Sequence, residues 1–186
     1  MTASTTPIVN GIDVDNLQKA ISAIKQDPAN GITSWTVKSQ WQDGTQHDHV
    51  VDGTTIGGKH VERKFTIKSD EPYELTGHNR YPNPQDLLFA ALNACMMVGY
   101  VSSAAVMGIK LDKLEVETTG DIDLRGLFEL DESVPKGYDR IRQTVRIAAD
   151  ASDEELRELH AAVKRTSVNY DNITRAIPVD SELVIE

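Results

Sequence analysis

Between Leu87 and Ile109 the chain runs for 23 residues without a charged side chain. Any fold it adopts must take that segment out of water, either across a bilayer or through the middle of a core. Its many alanines, together with Asn93, Gly99, Tyr100, Ser102, Ser103 and Gly108, argue against a lone membrane anchor, which would be richer in Leu, Ile and Phe. The segment therefore reads as the central helix of a soluble core, and no membrane is expected as a partner. Asn83-Pro84-Gln85-Asp86 supplies its start. Asn83 caps, Pro84 suits the first helical position, and Asp86 reaches back to the N–H of the capping residue. Gly108 closes the helix.

The flanking segments supply sheets and smaller helices. Residues 1–12 read as a mobile arm. Val14, Leu17, Ile21 and Ile24 then recur at helical spacing, with Asp15 and Gln18 as a capping box and Pro28 and Gly31 as the stop. Trp35, Val37 and Trp41 alternate as a strand that turns at Gly44. The stretch 45–56 is polar and strand-like, Gly57-Gly58 signals a hairpin, and 60–68 alternates. In that last run Arg63 shares a face with Val61, Phe65 and Ile67, so the pattern points a guanidinium toward the buried side, where it needs an anion. A loop spans Asp70 to Tyr81.

After the central helix, Leu114, Val116, Thr118 and Ile122 predict a strand, and a loop-rich insertion covers 124–137. Ile141, Val145 and Ile147 predict the next strand, whose Arg140, Arg142 and Arg146 face Glu115 or Glu117 as a solvated, charge-paired row. Ser152 and Glu155 cap a helix that turns Leu156, Leu159 and Val163 inward. A short helix near 170–176 and a strand over Val179–Ile185 end the pattern. The order predicts an α+β fold with antiparallel sheet on both sides of the central helix. One domain over 33–186 carries an N-terminal extension over 1–32.

With 29 acidic against 19 basic residues and a formal charge of −10, the 186-residue chain repels phosphate backbones, so nucleic acid is not expected as a partner. The single cysteine, Cys95, forbids an intrachain disulfide, and the N-terminus lacks a secretory pattern, so a cytoplasmic location is expected. No phosphate loop, G-x-S-x-G elbow or CxxC pair occurs, and no cofactor is called for. His47 and His49 share one strand face, and His60 could add a third nitrogen for Zn²⁺. Nothing in their spacing forces this, an exposed pair is the simpler reading, and no metal is assigned.

Cys95 is the remaining candidate for chemistry. A lone cysteine in an apolar helix is first a small buried hydrophobe. It lies well beyond the first helical turn, where the helix dipole has faded, so activation must come from another element. Arg63 is the best source on the alternation pattern. Phe89, Leu92, Met96 and Met97 surround the cysteine at helical spacing. They are core by that spacing, with an apolar ligand pocket as the alternative.

The run Pro82-Asn83-Pro84-Gln85-Asp86-Leu87-Leu88-Phe89-Ala90-Ala91-Leu92-Asn93-Ala94-Cys95 resembles the signature of the OsmC/Ohr family, in which such a helix start leads ten residues on to a cysteine. The resemblance continues through Gly120-Asp121-Ile122-Asp123-Leu124-Arg125-Gly126, Gly137-Tyr138 and Ile141-Arg142, similar to a longer OsmC-like subgroup. It reaches Ser167-Val168-Asn169-Tyr170-Asp171 and covers about 33–186. It implies an intertwined homodimer with two long central helices between antiparallel sheets and sites at the subunit interface. It also implies a thiol peroxidase, in which Cys95 attacks an organic hydroperoxide while an arginine and a glutamate hold the thiolate.

Two departures bear on that activity. Gln85 stands where the family carries the glutamate, with Asp86 beside it, and Arg63 or Arg80 would be the arginine. Ser167 falls at the place of the resolving cysteine, and a hydroxyl cannot form a disulfide with a sulfenate. The resemblance thus implies a one-cysteine cycle that relies on an external thiol reductant. The alternative is a protein of the same fold that binds a small apolar molecule and has lost the peroxidase reaction.

Overall fold

The structure is a computed structural model that describes residues 8–186. Positions 1–7 of the expected arm lie outside the described residues. The rest of that arm is a small hairpin. β1 (Ile8–Val9) pairs antiparallel with β2 (Ile12–Asp13) around Asn10-Gly11, both at positive φ, the tight turn that Asn-Gly favours. The hairpin leaves Asp13 extended at the mouth of α1 (Val14–Gln26), where its carboxylate accepts the Asn16 N–H at 2.9 Å. Asp13 therefore caps α1, and Asp15 sits within the first turn instead of capping it. Pro28–Gly31 forms a 3-10 turn that stops the helix where expected.

The backbone divides into two compact units, the first ending at Ala90 and the second running from Ala91 to Glu186. In the first unit, the expected long strands are each broken once. β3 (Thr33–Trp35) and β4 (Lys38–Asp43) come from one run, β5 (Gln46–Val51) and β6 (Thr54–Ile56) from the next, and β7 (Lys59–Val61) and β8 (Phe65–Ser69) from the third. The breaks fall nearly opposite one another, since Trp35 pairs with Thr54 and Val61 also pairs with Thr54, while Lys38 pairs with Val50 and Val51 with Phe65. Two three-stranded antiparallel sheets result, in the orders β3-β6-β7 and β4-β5-β8. Gly53 makes the middle break possible. Its φ is +115°, and a Cβ there would come within 2.4 Å of His60 Cε1. The Gly57-Gly58 hairpin forms as the sequence predicts, joining β6 to β7.

The loop leading to the central helix is organised by Asp70, which is buried. Its carboxylate accepts the Thr45 hydroxyl at 2.6 Å and the N–H groups of Glu71, His78 and Arg80 at 2.9, 3.2 and 3.1 Å. Burial opposes ionisation of Asp70, but these donors outweigh it and hold the carboxyl down at about 2. The loop ends at α2 (Pro84–Met107). Its start is the reciprocal cap read from the sequence: Asn83 Oδ1 accepts the Asp86 N–H at 2.9 Å, and the Asp86 carboxylate accepts the Asn83 N–H at 3.0 Å. Gly108, at φ +75°, ends the helix, and the Ile109 N–H reaches back to the Ala104 carbonyl at 2.8 Å.

In the second unit α2 turns Leu92, Met96, Tyr100 and Ala104 to one side, successive residues four apart. They pack with Leu159 and Val163 of α4 (Asp153–Thr166). The helices approach closely at Gly99, where a Cβ would lie 3.0 Å from a Val163 methyl. The floor is an antiparallel pair, β9 (Leu111–Gly120) and β10 (Ile141–Ala149), whose Leu114, Ile141, Val145 and Ile147 face this core. By length and composition α2 would also suit a membrane span, yet this stripe is buried in protein. α3 (Leu124–Leu127) is one short turn within the expected insertion.

Ser152 and Glu155 form the predicted capping box at α4, and α5 (Val168–Thr174) follows directly. Arg146 pairs with Glu117 at 2.8 Å on the outer face of the sheet, and Arg142 with Asp121 at 3.5 Å. These solvated pairs contribute little to stability. The strand expected over Val179–Ile185 is not formed. Val179, Leu183 and Ile185 are more than four-fifths exposed, and a strand with no edge to pair with has no ladder to hold it.

Candidate functional site

Cys95 lies three residues past the buried Leu92 and one before the buried Met96, a rotation that brings it to the rim of the core stripe. Its side chain is half-buried and free of any disulfide. The junction between α4 and α5 lies against it. Ser167, 5% exposed, is at once the last residue bonded into α4 and the cap of α5. Its hydroxyl oxygen accepts the Tyr170 N–H at 3.3 Å, and its O–H donates to the Cys95 Sγ at 3.3 Å. One turn earlier on α2, the Ala91 carbonyl accepts from Asn169 Nδ2 at 2.8 Å. That carbonyl is also the helical acceptor of the Cys95 N–H. Two residues of one junction thus bond to this stretch of α2, Ser167 at the Cys95 sulfur and Asn169 at the Ala91 carbonyl.

Leu92 and Met96 are sealed into the core at 3% and 0% exposure, so in this chain they line no open pocket. Phe89 is half-buried, in the first unit. The Asp86 carboxylate is committed to the cap, and Gln85 is exposed. Arg63 departs from the alternation argument. Residues 62–64 form the break between β7 and β8, so no strand face turns the guanidinium inward. It is exposed and lies over two aromatic rings, 5.9 Å from the centroid of Trp35 and 5.3 Å from that of Phe65. Arg80 is also exposed and uses its backbone N–H on Asp70.

The histidines do not assemble as a trio. His60 lies on β7, against Gly53, in a different sheet from His47 and His49. His49 is instead bridged by two hydroxyls, Ser39 at its Nδ1 and Ser69 at its Nε2, both 2.8 Å away, with His47 Nδ1 3.5 Å from Ser69. Among the described residues no group of three His, Cys, Asp or Glu side chains is arranged to hold a metal ion.

A second polar feature lies outside the residues that the sequence singles out. Tyr100 is 1% exposed, and its hydroxyl makes a short hydrogen bond to His160 Nδ1. Burial pushes the tyrosine up to about 12, and burial together with Lys164 pushes His160 down. Tyr100 is therefore the donor and His160 the neutral acceptor. The pair lines an open cleft of about 520 Å³ between α4 and β10, with Gln143, Val145, Leu156 and Arg157. A buried tyrosine hydroxyl requires a partner, which was the available signal, but the partner is 60 residues away. Asn93, the polar residue of the apolar helix, is likewise satisfied at long range, accepting the Thr118 hydroxyl at 2.5 Å and Gln143 Nε2 at 3.3 Å.

The family model described as OsmC-like protein matches residues 77–182. The chain is similar in structure to an OsmC-like protein from Mycoplasma pneumoniae, at TM-score 0.60 and 15% identity over 76% of this chain and 87% of that one. It is similar to an OsmC-like protein from Vibrio cholerae at TM-score 0.54 and 13% identity, over 75% and 93%. An organic hydroperoxide resistance protein from Elizabethkingia anophelis matches at TM-score 0.47 and 19% identity, over 76% and 89%. No curated protein matches at a significant level.

Proposed function

The chain belongs to the OsmC-like family, and from that premise we propose that it reduces organic hydroperoxides by a one-cysteine cycle at Cys95. The observation that carries the reading is the half-buried sulfur of Cys95 held against the Ser167 hydroxyl while its helical neighbours Leu92 and Met96 are sealed away. In the cycle the Cys95 thiolate attacks the distal peroxide oxygen. The O–O bond breaks, the alcohol leaves with a proton, and the sulfur becomes a sulfenic acid. An external thiol then condenses with the sulfenic acid, releasing water and leaving a mixed disulfide. A second thiol releases Cys95 and carries away the oxidised pair.

The working unit is proposed to be a cytoplasmic homodimer. Support for the dimer comes from apolar surface that a lone chain leaves in water, including Val98 of α2 at 66% exposure, Trp41 at 69% and the terminal Val179–Ile185 segment.

A second reading, a small-molecule-binding protein without peroxidase activity, is favoured by the open cleft at Tyr100 and His160, whose volume falls in the range of ligand sites. The two readings separate on peroxide. Reduced protein given one equivalent of cumene hydroperoxide should form a trappable sulfenic acid, visible by intact mass and lost in Cys95→Ser. Reaction no faster than that of a free thiol in solution removes the enzyme reading and leaves the binding one.

A further inference from the structure

We infer that the cleft between α4 and β10 is a binding site for small amphipathic carboxylates, with the carboxylate on His160 and Arg157 and the apolar body along Val145, Ile147 and Leu156. The inference rests on the binding reading given above and names a ligand class for it. It does not depend on Cys95, which is not among the walls of the cleft.

The hydrogen bonding of the cleft is one-sided. A neutral imidazole has one ring N–H and one acceptor nitrogen. Tyr100 donates to Nδ1 of His160, so the ring hydrogen is fixed on Nε2. Because Tyr100 is buried in the core, the tautomer is set from inside the protein. The ring itself is exposed and lines the cleft, and its Nε2–H has no partner among the described residues. Gln143 adds no second donor, since its Nε2 is taken by Asn93 and Thr118.

Arg157 supplies the charge. It lies three residues before His160, on the same face of α4. Its guanidinium meets Asp153 at 3.4 Å and Glu154 at 3.6 Å, both longer than a normal charge-assisted hydrogen bond, and all three side chains are mostly exposed. It is therefore loosely engaged, and its planar fork matches a carboxylate. Lys164, four residues past His160, adds positive potential on the other side and helps to keep the imidazole neutral. Asp153 is the opposing charge in the cleft, and an incoming carboxylate has to displace it from Arg157.

The remaining wall is apolar. Val145 and Ile147 are two apart on β10 and share a face, and Leu156 comes from α4. All three pack against the buried core, which holds the wall in place. The volume of about 520 Å³ suits a small molecule with an apolar body. The head group follows from the donors. The two oxygens of a carboxylate can accept from both the Nε2–H and the guanidinium, an alcohol leaves the guanidinium without an anion, and an ammonium is repelled by it.

The test titrates octanoate, octanol and octylamine into the full-length protein with labelled Ile, Leu and Val methyls, followed by NMR. Octanoate should give saturable shifts at Val145, Ile147 and Leu156 and bind about tenfold more tightly than octanol, the scale of one charge-assisted hydrogen bond. Arg157→Gln should remove that advantage and leave octanol unchanged. Asp153→Asn, which removes the competing carboxylate, should tighten octanoate by about threefold, the scale of an exposed charge pair. Both substitutions are at exposed positions, so neither removes core packing.

Octanol or octylamine binding as tightly as octanoate, or an octanoate affinity indifferent to Arg157→Gln, would overturn the carboxylate assignment and leave the cleft as a binding site for another class. No saturable shift at these three residues with any of the probes would overturn the inference together with the binding reading on which it rests.

Discussion

Thr45 donates its hydroxyl to the Asp70 carboxylate at 2.6 Å, joining the turn after β4 to the loop that delivers the central helix. With three backbone donors also on Asp70, the folded state holds its carboxyl at about 2, against 3.8 for the free group. A carboxyl depressed on folding adds stability that is present above the free value and lost as pH falls through the folded one. The melting temperature should therefore fall between pH 4 and pH 2. Asp70→Asn presents an amide toward backbone N–H donors, so it should be less stable at pH 7 and show a flatter acid slope by thermal melts.

His160 gives a pH dependence in another window. Burial and Lys164 depress it from 6.5, so the folded protein resists protonation where the unfolded chain accepts it. Stability from this group is present above pH 6.5 and is lost as pH falls below it. His160→Gln should flatten the melting temperature between pH 7.5 and pH 5.5. Tyr100→Phe keeps the ring and loses the hydroxyl. It should cost about 1 kcal/mol in urea unfolding at pH 7.5, the ordinary net worth of one hydrogen bond.

The cap of α2 predicts a third result. Asn83→Ala removes the side chain that accepts the Asp86 N–H and unseats the return bond from Asp86. Loss of such a cap costs about 1 kcal/mol. Denaturant melts should show that loss, and hydrogen exchange should show faster opening of the first turn of α2 with little change at α4.

Gly77 predicts a larger one. A Cβ there would stand 1.8 Å from the Glu71 carbonyl oxygen, which is backbone and cannot step aside. Gly77→Ala should open the loop around Asp70 and destabilise the fold by about 3 kcal/mol, in the range that steric conflict with fixed backbone produces. Equilibrium unfolding measures it.

What the sequence makes legible is local. The Asn83 and Asp86 cap, the Gly57-Gly58 hairpin and the Ser152 and Glu155 box each lie within a few residues of their partners, and each forms as read. The α+β order and the long apolar helix are equally plain, since periodicity carries them. Breaks at 36–37, 52–53 and 62–64 are not, because strand-like sequence continues across each kink while the hydrogen-bond ladder does not. That is how Arg63 reads as inward when it sits in a break. Asp13 caps α1 without a signal in the sequence, because the two-residue hairpin before it carries no periodicity. Contacts such as Tyr100 with His160 and Ser167 with Cys95 join residues 60 and 72 apart. Only the fold brings them together, although the family resemblance singles out Ser167.

Whether Cys95 is a working nucleophile is decided by the rate at which reduced protein forms a trapped sulfenic acid with one equivalent of cumene hydroperoxide, by stopped flow and intact mass. A working nucleophile gives a second-order rate well above that of free cysteine at pH 7, confined to Cys95 and absent in Cys95→Ser. A rate equal to that of free cysteine would contradict it and return Cys95 to the standing of a small residue at the edge of the core.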